Sequence, residues 1–288
     1  MGQDMNKLLL RAALLSCAAL AVGPAMATHA WGNYHWARKT NPLNLRLERQ
    51  LSTSQWVSAF TTAEADWDKS TVLNLTPAST NLGVNARYCT AVTGKALVCN
   101  SAYGQRGWLG IATIWLDSRG HITKGTTKLN DSYHNYPPYN TTAWRALVTC
   151  QEIGHIFGLA HQDENFSNPN LNTCMDYTNS PTSNQHPNSH DYSQLTSIYS
   201  HLDSYMTAST SVTTNFGIRA VGGPSAAPAA SEDDPGDSPP EWGSAVHHDG
   251  KGRPDIFVKN LSRGQKKITH VFWAIDEGPQ GQQHHREK

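Results

Sequence analysis

The sequence predicts an α+β fold with one sizeable core. Three observations carry that expectation. Leu43, Leu45 and Leu47 alternate with polar residues, which is the period of a half-buried strand, and the stretches 109–116 and 121–129 are β-like on either side of a turn cluster. Two longer stretches repeat apolar residues at helical spacing, one around Trp56–Trp67 and one around Trp144–Val148, as amphipathic helices do. About 260 residues remain after the N-terminal segment discussed next, enough for one core and an appendage.

Met1 to Ala27 reads as a targeting segment. Lys7 and Arg11 precede an apolar stretch from Ala12 to Val22, Gly23-Pro24 breaks it, and Ala25-Met26-Ala27 offers a small-residue cleavage site. The stretch is shorter than the roughly 20 apolar residues a membrane span needs, so cleavage after Ala27 and secretion, extracellular or periplasmic, are expected. A lipoprotein signal at Cys17 is the weaker alternative, because the apolar run continues past the cysteine. Residues 28–205 then form the main domain. After the Trp31, Tyr34, His35 and Trp36 cluster comes the first strand, and Ser52 to Ser54 offers an N-cap. Trp56, Val57, Phe60, Ala63 and Trp67 follow on a helix of about four turns, and Val72 to Leu75 on a strand. Strands 109–116 and 121–129 are separated by the turn cluster Asp117-Ser118-Arg119-Gly120. Thr141 or Thr142 caps a helix that buries Trp144, Leu147 and Val148. Residues 161–190 are Asn-, Ser- and Pro-rich and irregular, and a last helix places Leu195, Ile198, Tyr199 and Leu202 on one face. Residues 206–240 are a linker, Pro/Ala/Ser/Asp-rich over 227–240. Residues 241–288 are an appendage with strand-like runs at 255–258 and 267–273, able to form a hairpin or pack back on the main domain, and end in a disordered tail containing His284 and His285.

Removing the signal leaves Cys89, Cys99, Cys150 and Cys174, an even number suited to an oxidising compartment. Three connectivities exist. The expected one pairs Cys89 with Cys99 across a hairpin-like loop at Thr93-Gly94-Lys95, and Cys150 with Cys174. Lys plus Arg equals Asp plus Glu at 23 each, so nothing electrostatic points to nucleic acid or to an anionic membrane.

Residues 151–161 read Gln-Glu-Ile-Gly-His-Ile-Phe-Gly-Leu-Ala-His. On a helix, i and i+4 share a face, so Gln151 and His155 project together, with Glu152 turned about 100° aside. Gly158 can end the helix in the left-handed conformation, letting the chain return with His161. Three protein ligands plus water make a catalytic zinc site, with Glu152 beside it to accept the water's proton. Two lone imidazoles, His134 and His190, are further candidates for a ligand. Asp163 and Glu164, just past His161, read as loop-stabilising carboxylates.

This run resembles the metzincin zinc metalloproteases, whose pattern is HExxHxxGxxH, with Gln151 in place of the first histidine. Thr173-Cys174-Met175-Asp176-Tyr177 matches the Met-turn of that family. The upstream order of elements is similar to the matrixins, and the resemblance covers roughly residues 40–205. It implies a twisted, mostly parallel mixed sheet packed on the active-site helix and a second long helix, with a small irregular C-terminal subdomain ending in a helix. It also implies a secreted, monomeric zinc endopeptidase acting on protein or peptide. One zinc would be held by Gln151, His155 and His161, with Glu152 as general base, Met175 as floor and Tyr177 at the oxyanion. Calcium is not indicated. Gln151 departs from the pattern, since an amide oxygen is a harder, poorer zinc donor than imidazole. The sequence also lacks a pro-segment cysteine between Ala27 and the first strand. Two other functions stay open. One is a degenerate relative that binds peptide without cleaving it, and the other is a metal-dependent protein acting on a non-peptide substrate.

Overall fold

A computed structural model of the chain describes residues 29–78, 85–209 and 231–278. The targeting segment with Cys17 and Ala27, the middle of the expected linker, and the tail with His284 and His285 lie outside the described residues. In chain order the elements are β1 (His35–Trp36), β2 (Leu43–Gln50), α1 (Ser54–Trp67), β3 (Leu73–Ala78), β4 (Ala96–Ser101), β5 (Trp108–Leu116) and β6 (His121–Asn130). There follow α2 (Asp131–His134), α3 (Thr142–Ile156), α4 (Ser189–Ile198), α5 (Pro239–Trp242), β7 (Ser244–His248), β8 (Pro254–Asn260) and β9 (Lys266–Trp273).

The strands form one mixed sheet in the order β3-β2-β4-β6-β5-β9-β8-β7, with β1 beside β6. β3, β2, β4 and β6 run parallel, β1 runs parallel to β6, and β5 turns back antiparallel against β6. This is the α+β mixed sheet that the sequence led one to expect. One expectation is overturned and one open alternative is decided. β4 is a central parallel strand, so the Cys89–Cys99 disulfide ties a turn to the sheet and closes no hairpin. Its residues are almost all buried, and a strand buried on both faces shows an apolar run without alternation. The region after residue 240 also joins the main sheet. β9 pairs antiparallel with β5 from Trp108↔Trp273 to Leu116↔Lys266, and β8 and β7 follow outward. Its apolar residues Ile268, Val271, Phe272 and Trp273 are buried there.

Both long helices begin where side-chain chemistry places them. Thr53 accepts from the Trp56 amide and Thr141 from the Trp144 amide, each satisfying one of the orphan N–H groups of a helix start. α3 lies against α1 and against β5 and β6. Two buried indoles fasten it: Trp67 Nε1 donates to the Cys150 carbonyl at 3.0 Å and Trp36 Nε1 to the Ile156 carbonyl at 2.9 Å. The second of these satisfies an orphan carbonyl at the helix end. Truncating either indole to alanine should cost about 3–5 kcal/mol. α4 ends at Ile198, short of the expected face, and Leu202 is exposed.

Candidate metal centre

α3 stops where the motif needs it to stop. Gly158 has φ +99°, and a Cβ there would lie 2.1 Å from the Tyr34 carbonyl oxygen, so only glycine fits both the turn and the neighbour. The reversal brings His161 back to His155, with ring centroids 4.9 Å apart. His155 Nδ1 lies 2.7 Å from the Leu159 carbonyl, which fixes that nitrogen as the donor. His161 Nδ1 lies 3.2 Å from Glu164 Oε1. Both Nε2 atoms are buried and without a hydrogen-bond partner, as are Glu152 Oε1 and Gln151 Oε1. Buried polar atoms are rarely left unpaired, so the two imidazole nitrogens and the Glu152 oxygen are fitted to a ligand of their own.

A third imidazole stands beside these two. His270, on β9, has its ring centroid 3.8 Å from that of His155 and 4.5 Å from that of His161. One nitrogen from each of the three rings lies within 4.8 Å of the others. His270 Nδ1 is 3.5 Å from Glu152 Oε2, and its Nε2 is 3.3 Å from the Tyr177 hydroxyl. Tyr177 in turn donates to Asp255 Oδ2 at 2.7 Å. Gln151 is fully buried on the same helix, and its Nε2 donates to the Cys174 carbonyl at 2.7 Å.

Burial governs the charges. It pushes the Glu152 carboxyl well above the usual carboxylate range, opposed only by the backbone N–H of Ala112. Burial, joined by His161 and His29, holds His155 well below the ordinary imidazole range despite its bond to the Leu159 carbonyl; burial and His155, His161 and His247 do the same for His270. Neutral imidazoles with unshared Nε2 or Nδ1 pairs are the form that binds metal. The donor set, with outer nitrogens held by a carbonyl and a carboxylate, fits a zinc ion.

The floor of the site is also built. A Cβ on Gly154 would come within 2.6 Å of Met175 Sδ, so glycine lets the methionine lie directly against α3. The Met175 carbonyl accepts from the Gln162 amide at 2.6 Å, and the Cys150–Cys174 disulfide bonds this loop to α3. On the other side Trp31 covers the imidazoles, 5.5 Å from His155 and 6.2 Å from His270 between ring centroids. Its segment is held by Trp31 N–H to the Gly158 carbonyl and Ala160 N–H to the His29 carbonyl.

Glu152, His155, His161 and Tyr177 lie together around His270, Met175 lies against α3 at Gly154, and the side chain of Gln151 is turned to the Cys174 carbonyl. The oxyanion role expected of Tyr177 meets a competing bond, since its proton is committed to Asp255. His134 and His190 do not join them. His134 packs edge-on against Trp56, and His190 stacks on His29 near Asp191. Glu164 orients His161, while Asp163 caps the Asn165 amide. Sequence reasoning missed His270, Asp255 and the covering Trp31. The one available signal was a histidine inside the apolar run Ile268–Trp273, where a chain short of one imidazole has a site to fill.

No protein-family model and no curated protein sequence matches the chain. Among solved structures, it is similar to myroilysin at 10% identity, with a TM-score of 0.35, over 57% of this chain and 96% of that one. A hatching-enzyme zinc protease from the medaka fish Oryzias latipes, high choriolytic enzyme 1, gives 10% identity and a TM-score of 0.33, over 58% and 94%. Archaemetzincin from Archaeoglobus fulgidus gives 15% and 0.28, over 53% and 99%. Likeness this distant says nothing of chemistry, which rests on the chain's own residues.

Proposed function

We propose that this chain is a secreted zinc-dependent hydrolase that cleaves peptide bonds. The observation that carries this reading is the set of unpartnered, buried acceptor atoms at the end of α3: Nε2 of His155, Nε2 of His161 and Oε1 of Glu152. His155 and His161 would hold the metal. A bound zinc ion supplies Lewis acidity, acidifying water and polarising a carbonyl. Glu152 takes the proton from the attacking water and returns it to the leaving amine. Met175 and the Cys150–Cys174 disulfide keep the loop under the imidazoles in place. Two disulfides fit an oxidising compartment, and no described helix is long and apolar enough to cross a membrane.

The same site is closed over. Glu152 is 0% and His155 1% exposed, and Trp31 packs over the imidazoles, so a peptide reaches them only when that cover gives way. That burial favours a second reading, a metal-holding fold that binds a partner without cleaving it. Elemental analysis of the mature chain and a casein assay beside Glu152→Ala separate the two. Bound zinc with Glu152-dependent cleavage supports the hydrolase. Bound zinc without cleavage supports the binding protein, and a chain that takes up no zinc overturns both.

A further inference from the structure

Position 151 leaves the helix one imidazole short, and β9 brings one to the gap. We propose that His270, from the far end of the chain, is the third metal ligand in place of Gln151; the proposal rests on the metal centre described above. The sheet register puts it there. β9 pairs with β5 so that His270 lies opposite Ala112 and Thr269 opposite Thr113. The two threonine hydroxyls meet at 3.3 Å, and side chains alternate along a strand, so His270 takes the other face, toward α3. There it is fully buried against His155 and His161.

Its neighbours fix which nitrogen is free. Tyr177 gives its proton to Asp255 at 2.7 Å, so the phenol oxygen accepts from His270 Nε2–H at 3.3 Å. Nδ1 is left with its lone pair. Glu152 Oε2, 3.5 Å from Nδ1, is beyond the range of a good hydrogen bond. A carboxylate–phenol–imidazole chain of this kind orients a metal-binding histidine from outside the first ligand set. Asp255 stands on the neighbouring strand β8 and Tyr177 in the loop after Met175, 93 residues earlier in the chain than His270.

Gln151 is placed differently. Its amide nitrogen is spent on the Cys174 carbonyl at 2.7 Å, which ties the side chain to the loop under the helix. An amide oxygen is also the poorer zinc donor. On this account Gln151 braces the Met175 loop while His270 restores the imidazole, and the retained Glu152, Gly158 and His161 still serve a complete centre.

Zinc affinity by competition with a chromophoric chelator, and the cobalt(II) spectrum, test this on the full mature chain. His270→Ala should weaken zinc binding about 100-fold or more, whereas Gln151→Ala should change it by no more than a few fold. Tyr177→Phe should fall between them. His270→Cys, loaded with cobalt(II), should show a thiolate-to-cobalt charge-transfer band, which a cysteine off the metal cannot produce. That variant keeps the test open if His270→Ala fails to fold. Wild-type zinc binding that survives His270→Ala but is lost in Gln151→Ala overturns the assignment, as does equal loss in both, or a folded His270→Cys without the band. A wild-type chain that binds no zinc instead overturns the underlying metal centre.

Discussion

In the proposed hydrolysis, Glu152 is the residue on which the chemistry turns. It is buried and short of a partner at Oε1. Glu152→Gln keeps its shape and removes its basicity. Peptide turnover should fall by about 10²–10⁴-fold while zinc content is unchanged, which elemental analysis and a quenched-peptide assay check together. His134 makes a separate prediction about stability. Burial is the main cause that lowers its pKa from 6.5 to about 3, against a bond from its ring to the Tyr139 carbonyl. The unfolded chain therefore takes up a proton below about pH 6.5 that the folded chain refuses until about pH 3. Its contribution is whole above pH 6.5 and shrinks as pH falls through that window, by roughly 1.4 kcal/mol per pH unit. His134→Phe should lose about 1 kcal/mol at neutral pH with the hydrogen bond, yet show a flatter decline of denaturation midpoint between pH 6 and 4. An unchanged slope would count against this account.

Between elements, the decisive junction is α3 with the loop that holds Met175. The Cys150–Cys174 disulfide spans 24 residues of sequence, and closing a loop of that length is worth roughly 3 kcal/mol in the chain-entropy view. Cys150→Ala/Cys174→Ala should unfold at lower denaturant by about that much and should hold zinc more weakly, because the loop also carries Tyr177. Calorimetry and chelator competition read the two effects. This level of organisation was partly legible. Helix caps, the turn at Gly120 and the arrest at Gly158 are local choices that the residues announce, and the structure has each of them. β4 was not legible, because a strand buried on both faces lacks the alternation that marks β2. The partner of β5 was not legible either. Nothing near Lys266–Trp273 says which edge it will join, since that depends on a pairing across some 150 residues.

At the scale of the whole molecule, the sheet carries the last strands of the chain back to the helix in its middle. Spacing along α3 and the arrest at Gly158, which turns the chain back, allowed Glu152, His155 and His161 to be read directly. The contribution of His270 could not, because its position relative to the motif is set by sheet register and by no repeat in sequence. The same architecture closes the site. Trp31 from the start of the described chain and β9 from its end both cover the imidazoles. Trp31→Ala should therefore speed zinc loss to an external chelator without lowering the zinc content at equilibrium by much, which stopped-flow chelation measures.

Hydrolysis of a quenched peptide library during titration of the metal-free mature chain with zinc tests the central claim most directly. The account predicts no cleavage without metal, a rise that saturates near one zinc per chain, and no such rise in Glu152→Ala. Cleavage that is indifferent to zinc, or equal in Glu152→Ala, would contradict it, as would a zinc-loaded wild-type chain that cleaves nothing.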